Sequence, residues 1–286
     1  MIRREFIKDM ARGALAAMVA PLFARADGEQ KTLPDISPLR RAVGKLLETT
    51  PHNLMPGTET MIYDSPVFGV STAQDHLYRK LKEAVGPGHY MPEDLFRGAK
   101  SVISYFLPYT EAVRKTSYGT EDESAQWTLA HRQGAYAAEL VRRFVAKRLD
   151  NLGARSLVVF HDSRYATKTL VSNWSERHVA FISGLGTFGL HKSLITEKGC
   201  AGRLDSVITD YEIAPTKRDY EGVYDRCIQC YACVGRCPVG AITKTGKDIR
   251  ACARYVLARK TKPEQAACGR CLTQVSCESC TPARRS

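Results

Sequence analysis

The chain has 286 residues, 44% of them hydrophobic and 25% charged, an ordinary composition for a soluble globular protein with room for one large domain and a small one. Lys and Arg outnumber Asp and Glu by 42 to 30, a formal charge of +12, which favours anionic lipid, an acidic electron donor or nucleic acid as partners. No stretch approaches the roughly eighteen uninterrupted apolar residues of an ordinary transmembrane span, and there is no internal repeat.

Residues 1–26 read as an export signal. Arg3-Arg4-Glu5-Phe6-Ile7-Lys8 opens a basic segment, an Ala-rich stretch runs from Ala11 to Phe23, and Ala24-Arg25-Ala26 fits a small-residue cleavage site. The pattern resembles a twin-arginine signal, with Ile2 where Ser or Thr is expected and Ile7 in place of Leu. That route exports folded proteins. It makes the twin-arginine translocation machinery a partner and the periplasm, or the outer face of the cytoplasmic membrane, the destination. The competing reading is an amphipathic helix of a cytoplasmic protein. Removing residues 1–26 takes away five Lys/Arg and two Asp/Glu and leaves a charge near +9. A periplasmic address makes nucleic acid the least expected partner.

Residues 27–60 form an extended N-terminal arm, with Pro34, Pro38, Pro51, Pro56 and Gly57 around one short helix near 38–48. Leu77, Leu81 and Val85 recur at helical spacing over 75–85, and Gly86-Pro87-Gly88 stops that helix. Pro92 to Leu95 opens a short helix. Ser101 to Leu107, closed by Pro108, is a buried strand. Residues 124–152 form a long amphipathic helix with Leu140, Phe144 and Leu152 among its apolar positions and Gly153 as its cap. Ser156 to Phe160 is a strand, and Glu176 starts a helix capped by Ser175 or Asn173. Ser206 to Thr209 and its neighbours give a third strand. Alternating strands and helices up to about 215 imply α/β or α+β layering.

Gly184, Gly186 and Gly189 match G-x-G-x-x-G, but they follow the helix ending at Ile182. A dinucleotide fingerprint follows a strand, so that reading is rejected. Close backbone approach to a bulky planar ligand suits these glycines better.

Nine of ten cysteines lie in the last sixty residues. Cys227, Cys230, Cys233 and Cys237 form C-x2-C-x2-C-x3-C-P, the bacterial ferredoxin run for a [4Fe–4S] cluster, whose fourth member reaches across to a second cluster. Zinc needs only four ligands, but this spacing is atypical for it. A disulfide framework does not suit cysteines crowded at cluster spacings. Two [4Fe–4S] clusters are expected. Cys227, Cys230, Cys233 and Cys277 hold one; Cys237, Cys252, Cys268 and Cys271 hold the other. Cys280 substitutes for Cys277 or is free. Cys200 has no ligand-spaced neighbour and reads as a buried small hydrophobe. Clusters are assembled in the cytoplasm, which suits export of an already folded chain.

The segment Ser175 to Gly189 (S-E-R-H-V-A-F-I-S-G-L-G-T-F-G) is similar to the E-R-x-A-x-x-A-G-L-G-x-x-G segment of the epoxyqueuosine reductases. Leu194 to Thr196, the G-R-L-D-S-V-I-T stretch at 202–209, the cysteine run, the lone Cys252 and a closing C-x2-C follow in that family's order. The resemblance runs from about residue 90 to 280, and the same superfamily includes corrinoid-dependent reductive dehalogenases. It implies an α+β protein: a nitroreductase-like domain at 61–215 holding a corrinoid (cobalamin) and a small-molecule substrate, then a two-cluster ferredoxin-type domain at 216–286. Electrons would pass from a donor protein or membrane redox partner through the clusters to cobalt. By position in the family pattern, Asp162 is the candidate proton donor. Tyr105, Tyr109, Arg177 and His178 would line the corrin pocket, with Gly184, Gly186 and Gly189 against the cofactor. His161 reads as solvent-facing or core.

Three departures qualify the resemblance. The sequence continues only six residues past Cys280, so the helical-repeat extension that helps epoxyqueuosine reductases hold tRNA is not expected. An export signal would remove the chain from tRNA. The closing motif is C-x2-C-x5-C, where the family has C-x2-C-x3-C-P. The reading is an exported iron–sulfur oxidoreductase that reduces a small molecule at a corrinoid. Its rivals are a periplasmic electron carrier without catalysis and a cytoplasmic tRNA-modifying reductase.

Overall fold

Ser101 to Pro108 carries no charge and is buried along its whole length, so both faces of this strand must be covered. What covers them organises the structure, a computed structural model that describes residues 33–119, 124–168, 170–258 and 268–283. The expected signal at 1–26 lies outside the described residues.

The arm contributes α1 (Ser37–Thr49). Then come β1 (Val67–Thr72), α2 (Leu77–Ala84), α3 (Pro92–Leu95), β2 (Ser101–Pro108), α4 (Glu111–Lys115) and the long α5 (Ala125–Asp150). The middle holds β3 (Ser156–Val158), the ribbon β4 (Thr167–Lys168) and β5 (Val171–Ser172), and α6 (Glu176–Ile182). The ribbon β6 (Gly186–Phe188) and β7 (Leu194–Thr196) precedes β8 (Gly202–Thr209). The cysteine-rich end has α7 (Ala232–Gly235), the ribbon β9 (Ile242–Thr243) and β10 (Gly246–Lys247), and α8 (Ile249–Ala258). This is the α+β class expected from the sequence.

The main sheet runs β1-β2-β8-β3, with every pairing antiparallel. Alternation along β2 and β8 sorts side chains into two layers. Ile103, Tyr105, Leu107 and Val207 join Ala137, Ala138, Val141 and Val145 of α5 in one core. Val102 and Ile208 join Trp174, Val179 and Ile182 in the core on the α6 side. The small residues of α5 let it lie close to the sheet side: a Cβ on Gly134 would overlap the Tyr63 ring.

Three local expectations are corrected. Leu152 lies past the end of α5 and is 37% exposed, because the chain has already turned toward Gly153, whose φ of +74° ends the helix. The strand expected to reach Phe160 stops at Val158, and a 3-10 turn over Val159–His161 brings His161 Nε2 to 2.8 Å from Glu139 Oε2. Ser175 holds the N-cap position of α6, yet its hydroxyl pairs with His178 Nδ1 at 2.8 Å and caps no backbone N–H. Asn173 is used elsewhere, accepting from Ala166 N and donating to Arg164 O.

Packing is continuous across residue 215. Thr216 exchanges hydrogen bonds with Val70, and Arg218 pairs with Asp75 at 2.7 Å. Thr32 to Ser286 forms one compact unit. Among the described residues no helix is long and apolar enough to cross a membrane.

Beneath the sheet lies a buried ion network. Arg142 of α5 donates to Asp205 Oδ1 at 2.6 Å and to Glu139 Oε2 at 3.2 Å, and all three residues are under 5% exposed. Glu139 also accepts from Arg143 at 2.7 Å. Burial alone would raise the Glu139 pKa, but the bonds from His161 and Arg143 outweigh it and lower the value to about 2. Removing one partner leaves an uncompensated buried charge. We expect Arg142→Met to destabilise the fold by about 3–5 kcal/mol, read as a lower midpoint of anaerobic denaturant unfolding. A loss under about 1 kcal/mol would contradict the pairing drawn here, since that is the scale of a surface ion pair.

Candidate functional site

The cysteine run coils into a tight loop. Gln229 and Tyr231 take left-handed backbone angles (φ 51° and 59°), α7 follows at once, and Cys237 N bonds back to Val234 O. These turns point Cys227, Cys230 and Cys233 into one cavity of about 320 Å³, which Cys277 also lines. The four thiols assigned to the first cluster from spacing therefore share a cavity, with Leu190, Ile195 and Val275 as its apolar wall. Cys280 is exposed and does not line it. Burial, with the nearby Cys277, Cys227 and Cys230 adding to it, pushes the Cys233 thiol up to about 11. Four converging thiols suit a cation-rich cluster, which removes their protons on binding.

The second set gathers nearby. Burial raises the Cys271 thiol to about 12; Lys247 opposes this, while the charges of Cys268 and Cys252 add to it. Cys252 of α8 and Cys268 thus lie within electrostatic reach of Cys271. Asp248 caps α8 by accepting from Arg250 N and Ala251 N at 2.8 and 3.0 Å. Cys237 packs against the same buried cluster as Cys271, and its Sγ accepts from Ala241 N at 3.2 Å.

Two residues outside both sets stand at the first cavity. Cys200 Sγ lies 3.8 Å from Cys277 Sγ, and His191 Nε2 lies 3.4 Å from it. Hydrogen bonds from Cys200 and then from His191 lower the Cys277 pKa against its burial, while Cys200 is held protonated by its bond to Cys277 and by burial.

A second cavity, of about 660 Å³, opens where β2, β7, β8 and the start of α6 meet. Phe106, Tyr109, Leu194 and Leu204 form its apolar wall, with Arg177, Arg203, His131 and Glu176 as polar groups. Cys200 lines it too, and its Sγ lies 3.8 Å from the Sγ of Cys277, which lines the first cavity.

Of the residues that the family pattern pointed to, Arg177 and Tyr109 line this cavity, Arg177 donating to Lys192 O at 2.7 Å. Tyr105 is fully buried on the α5 side of the sheet, stacked on Phe68, and its hydroxyl has no partner among the described residues. His178 is tied to Ser175 and packs on Phe188, and burial depresses its pKa to about 4, so it is neutral at pH 7. Close approach at the glycines is to the chain itself. A Cβ at Gly184 would meet Thr216, at Gly186 the Ile195 carbonyl, and at Gly189 the His191 ring. Asp162 does not line the cavity. Arg164 grips both its carboxylate oxygens, at 2.9 and 2.6 Å, and donates also to Asp94 O and Leu95 O.

The acid that does face the cavity is Glu176, which sequence reasoning missed. Its Oε2 is buried without a partner among the described residues. Burial raises its pKa to about 8, Asp205 across the sheet adds to this, and Ser206 and Arg142 pull the other way. The carboxyl is thus protonated at neutral pH and holds a proton at the cavity wall. In sequence it was a first-turn Glu, indistinguishable from one that faces the helix dipole.

A carboxyl with a raised folded-state pKa stabilises the fold most below its ordinary value near 4.5 and loses that contribution as pH rises to about 8. Glu176→Gln cannot ionise. We expect it to gain on the wild type in thermal unfolding midpoint as pH goes from 5 to 8; parallel curves would show that Glu176 ionises normally.

Comparison with known proteins agrees with these features. The 4Fe-4S binding domain family matches residues 220–243. No curated protein matches the chain. Among solved structures, a catabolic reductive dehalogenase aligns with 16% identity and a TM-score of 0.50, over 85% of this chain and 36% of its own. The epoxyqueuosine reductase of Streptococcus thermophilus aligns with 16% identity and a TM-score of 0.49, over 82% of this chain and 64% of its own. That of Bacillus subtilis gives 17% and 0.49, over 85% of this chain and 66% of its own. The chain therefore spans less than two thirds of each of these proteins. At such identity the likeness to the dehalogenase speaks for the fold alone, an α+β body, and residues 220–243 match a 4Fe-4S binding domain.

Proposed function

We propose that this chain is an iron–sulfur oxidoreductase in which two [4Fe–4S] clusters feed electrons to a redox-active occupant of the 660 Å³ cavity. The observation that carries the reading is the position of Cys200, which lines that cavity and sits 3.8 Å from the cluster ligand Cys277. The thiol sets fit the clusters, with Cys227, Cys230, Cys233 and Cys277 around the first cavity and Cys237, Cys252, Cys268 and Cys271 as the second set.

The sequence resemblance supports a corrinoid as the occupant. The apolar wall at Phe106 and Leu204 suits a planar ring, and the polar rim suits its amide fringe. When bound, the corrinoid supplies strongly reducing cobalt chemistry. The chain's own part is separable from it. Arg177 and Arg203 attract an anionic group, the apolar wall excludes water, and the Glu176 carboxyl holds the proton that a reduction consumes. The substrate in this reading is a small molecule. The twin-arginine pattern supports export to the periplasm, and the basic charge suits an acidic donor protein.

Anaerobic reconstitution tests this directly. About eight irons per chain, with stoichiometric cobalt and a corrinoid absorption spectrum, are expected. Cys277→Ser should perturb one cluster's EPR signal, and Cys280→Ser should leave both signals unchanged. Full iron loading without corrinoid affinity would overturn the reductase and leave an electron carrier.

A further inference from the structure

His191 and Cys200 belong to neither thiol set, yet both are aimed at one cluster ligand. His191 is 1% exposed, Cys200 2% and Cys277 8%. The hydrogens can be assigned from the bonds. Ser193 N donates to His191 Nδ1 at 3.0 Å, so Nδ1 is an acceptor and carries no proton. The neutral ring then bears its proton on Nε2, which lies 3.4 Å from Cys277 Sγ. Both ring nitrogens are spent, so His191 has no lone pair left for a metal. Cys200 is held in place by Cys200 N donating to Cys277 O at 2.9 Å. Its thiol has one hydrogen and two acceptors in reach, Cys277 Sγ at 3.8 Å and Leu272 O at 3.9 Å, and an iron-bound thiolate is the stronger of the two. Four other cysteines already converge on the cavity, so a cubane there needs neither residue as a ligand.

We propose that His191 Nε2–H and Cys200 Sγ–H are two buried hydrogen-bond donors to the Cys277 sulfur that raise the reduction potential of the cluster it ligates. Reduction adds one negative charge to the cluster, shared with its sulfurs. Donors fixed on a sulfur stabilise the reduced form more than the oxidised one, and they do so strongly where water is excluded. The cluster so tuned is the one whose ligand contacts Cys200, a residue that also lines the second cavity. The proposal rests on the cluster-ligand half of the function proposed above and is independent of the corrinoid.

The test is an EPR-monitored redox titration of the full reconstituted chain. His191→Leu and Cys200→Ala should each leave iron content unchanged and shift the reduction equilibrium of one cluster about tenfold toward the oxidised form. For a one-electron couple that is a midpoint about 59 mV lower. The other cluster's midpoint should not move. Cys200→Ser, which keeps a hydroxyl donor, should stay near the wild type. If His191→Leu does not fold, the Cys200→Ala and Cys200→Ser pair carries the test alone. An unmoved midpoint in a fully loaded variant overturns the proposal, as does loss of iron in Cys200→Ala, which would make Cys200 a ligand. Failure to bind a corrinoid would leave this result standing.

Discussion

The first cluster cavity depends on a return of the chain. Cys233 and Cys277 are distant in sequence and must meet within one cubane's reach. Glu278 is what brings the second of them home. Its carboxylate accepts from Arg114 Nε at 2.9 Å, from the Tyr118 hydroxyl at 2.6 Å and from Gln274 N, while its backbone carbonyl accepts from Cys200 N and Ala201 N. Gly199, at φ +76°, lets the two strands of chain pass, because a Cβ there would overlap the Glu278 backbone. Arg114 and Tyr118 belong to α4 and the turn after it, and Cys200 leads into β8. The seat of Cys277 is thus built by the α+β body. The cysteine-rich end is not self-sufficient, which agrees with the continuous packing across residue 215.

The sheet that sets this seat also separates two kinds of polar group. On the α5 side, Asp205 is neutralised by Arg142, and Glu139 by Arg143, Arg142 and His161. On the α6 side, Glu176 has no cation bonded to it among the described residues, and its Oε2 is buried without a partner there. The residual field of Asp205 through the sheet disfavours a second negative charge there. The charge of one buried carboxylate helps keep a neighbouring carboxyl protonated. The strand order makes this geometry, since Asp205 and Ser206 are adjacent on β8 and point to opposite faces.

Secondary structure was largely legible because its causes are local. Gly86-Pro87-Gly88 ends α2, the uncharged run at 101–108 is buried, and Gly153 follows the end of α5. The cysteine run was legible for the same reason: its three ligands lie within one loop. The rest was hidden by tertiary pairing. Asp162 read as the candidate proton donor, but the sequence does not announce that Arg164 folds back onto it while anchored to α3 carbonyls. Cys200 read as a small hydrophobe, which its 2% exposure bears out, but its neighbour lies 77 positions on. His191 carried no signal, because its role depends on a backbone N–H two residues later fixing its tautomer.

A reduction needs an electron and, in most organic substrates, a proton. In the proposed reading these enter the cavity from different walls. Cys200 faces the cluster side, and Glu176 sits at the start of α6 on the sheet side. An electron arriving in a poorly hydrated cavity raises the proton affinity of whatever receives it, and an acid already protonated at neutral pH answers without waiting for water. Asp162, held by Arg164 and outside the cavity lining, is poorly placed for that task. The separation of walls also protects the cluster. In that reading the Cys277 sulfur is bonded, among the described residues, to a histidine and a thiol, and neither is bonded to Glu176.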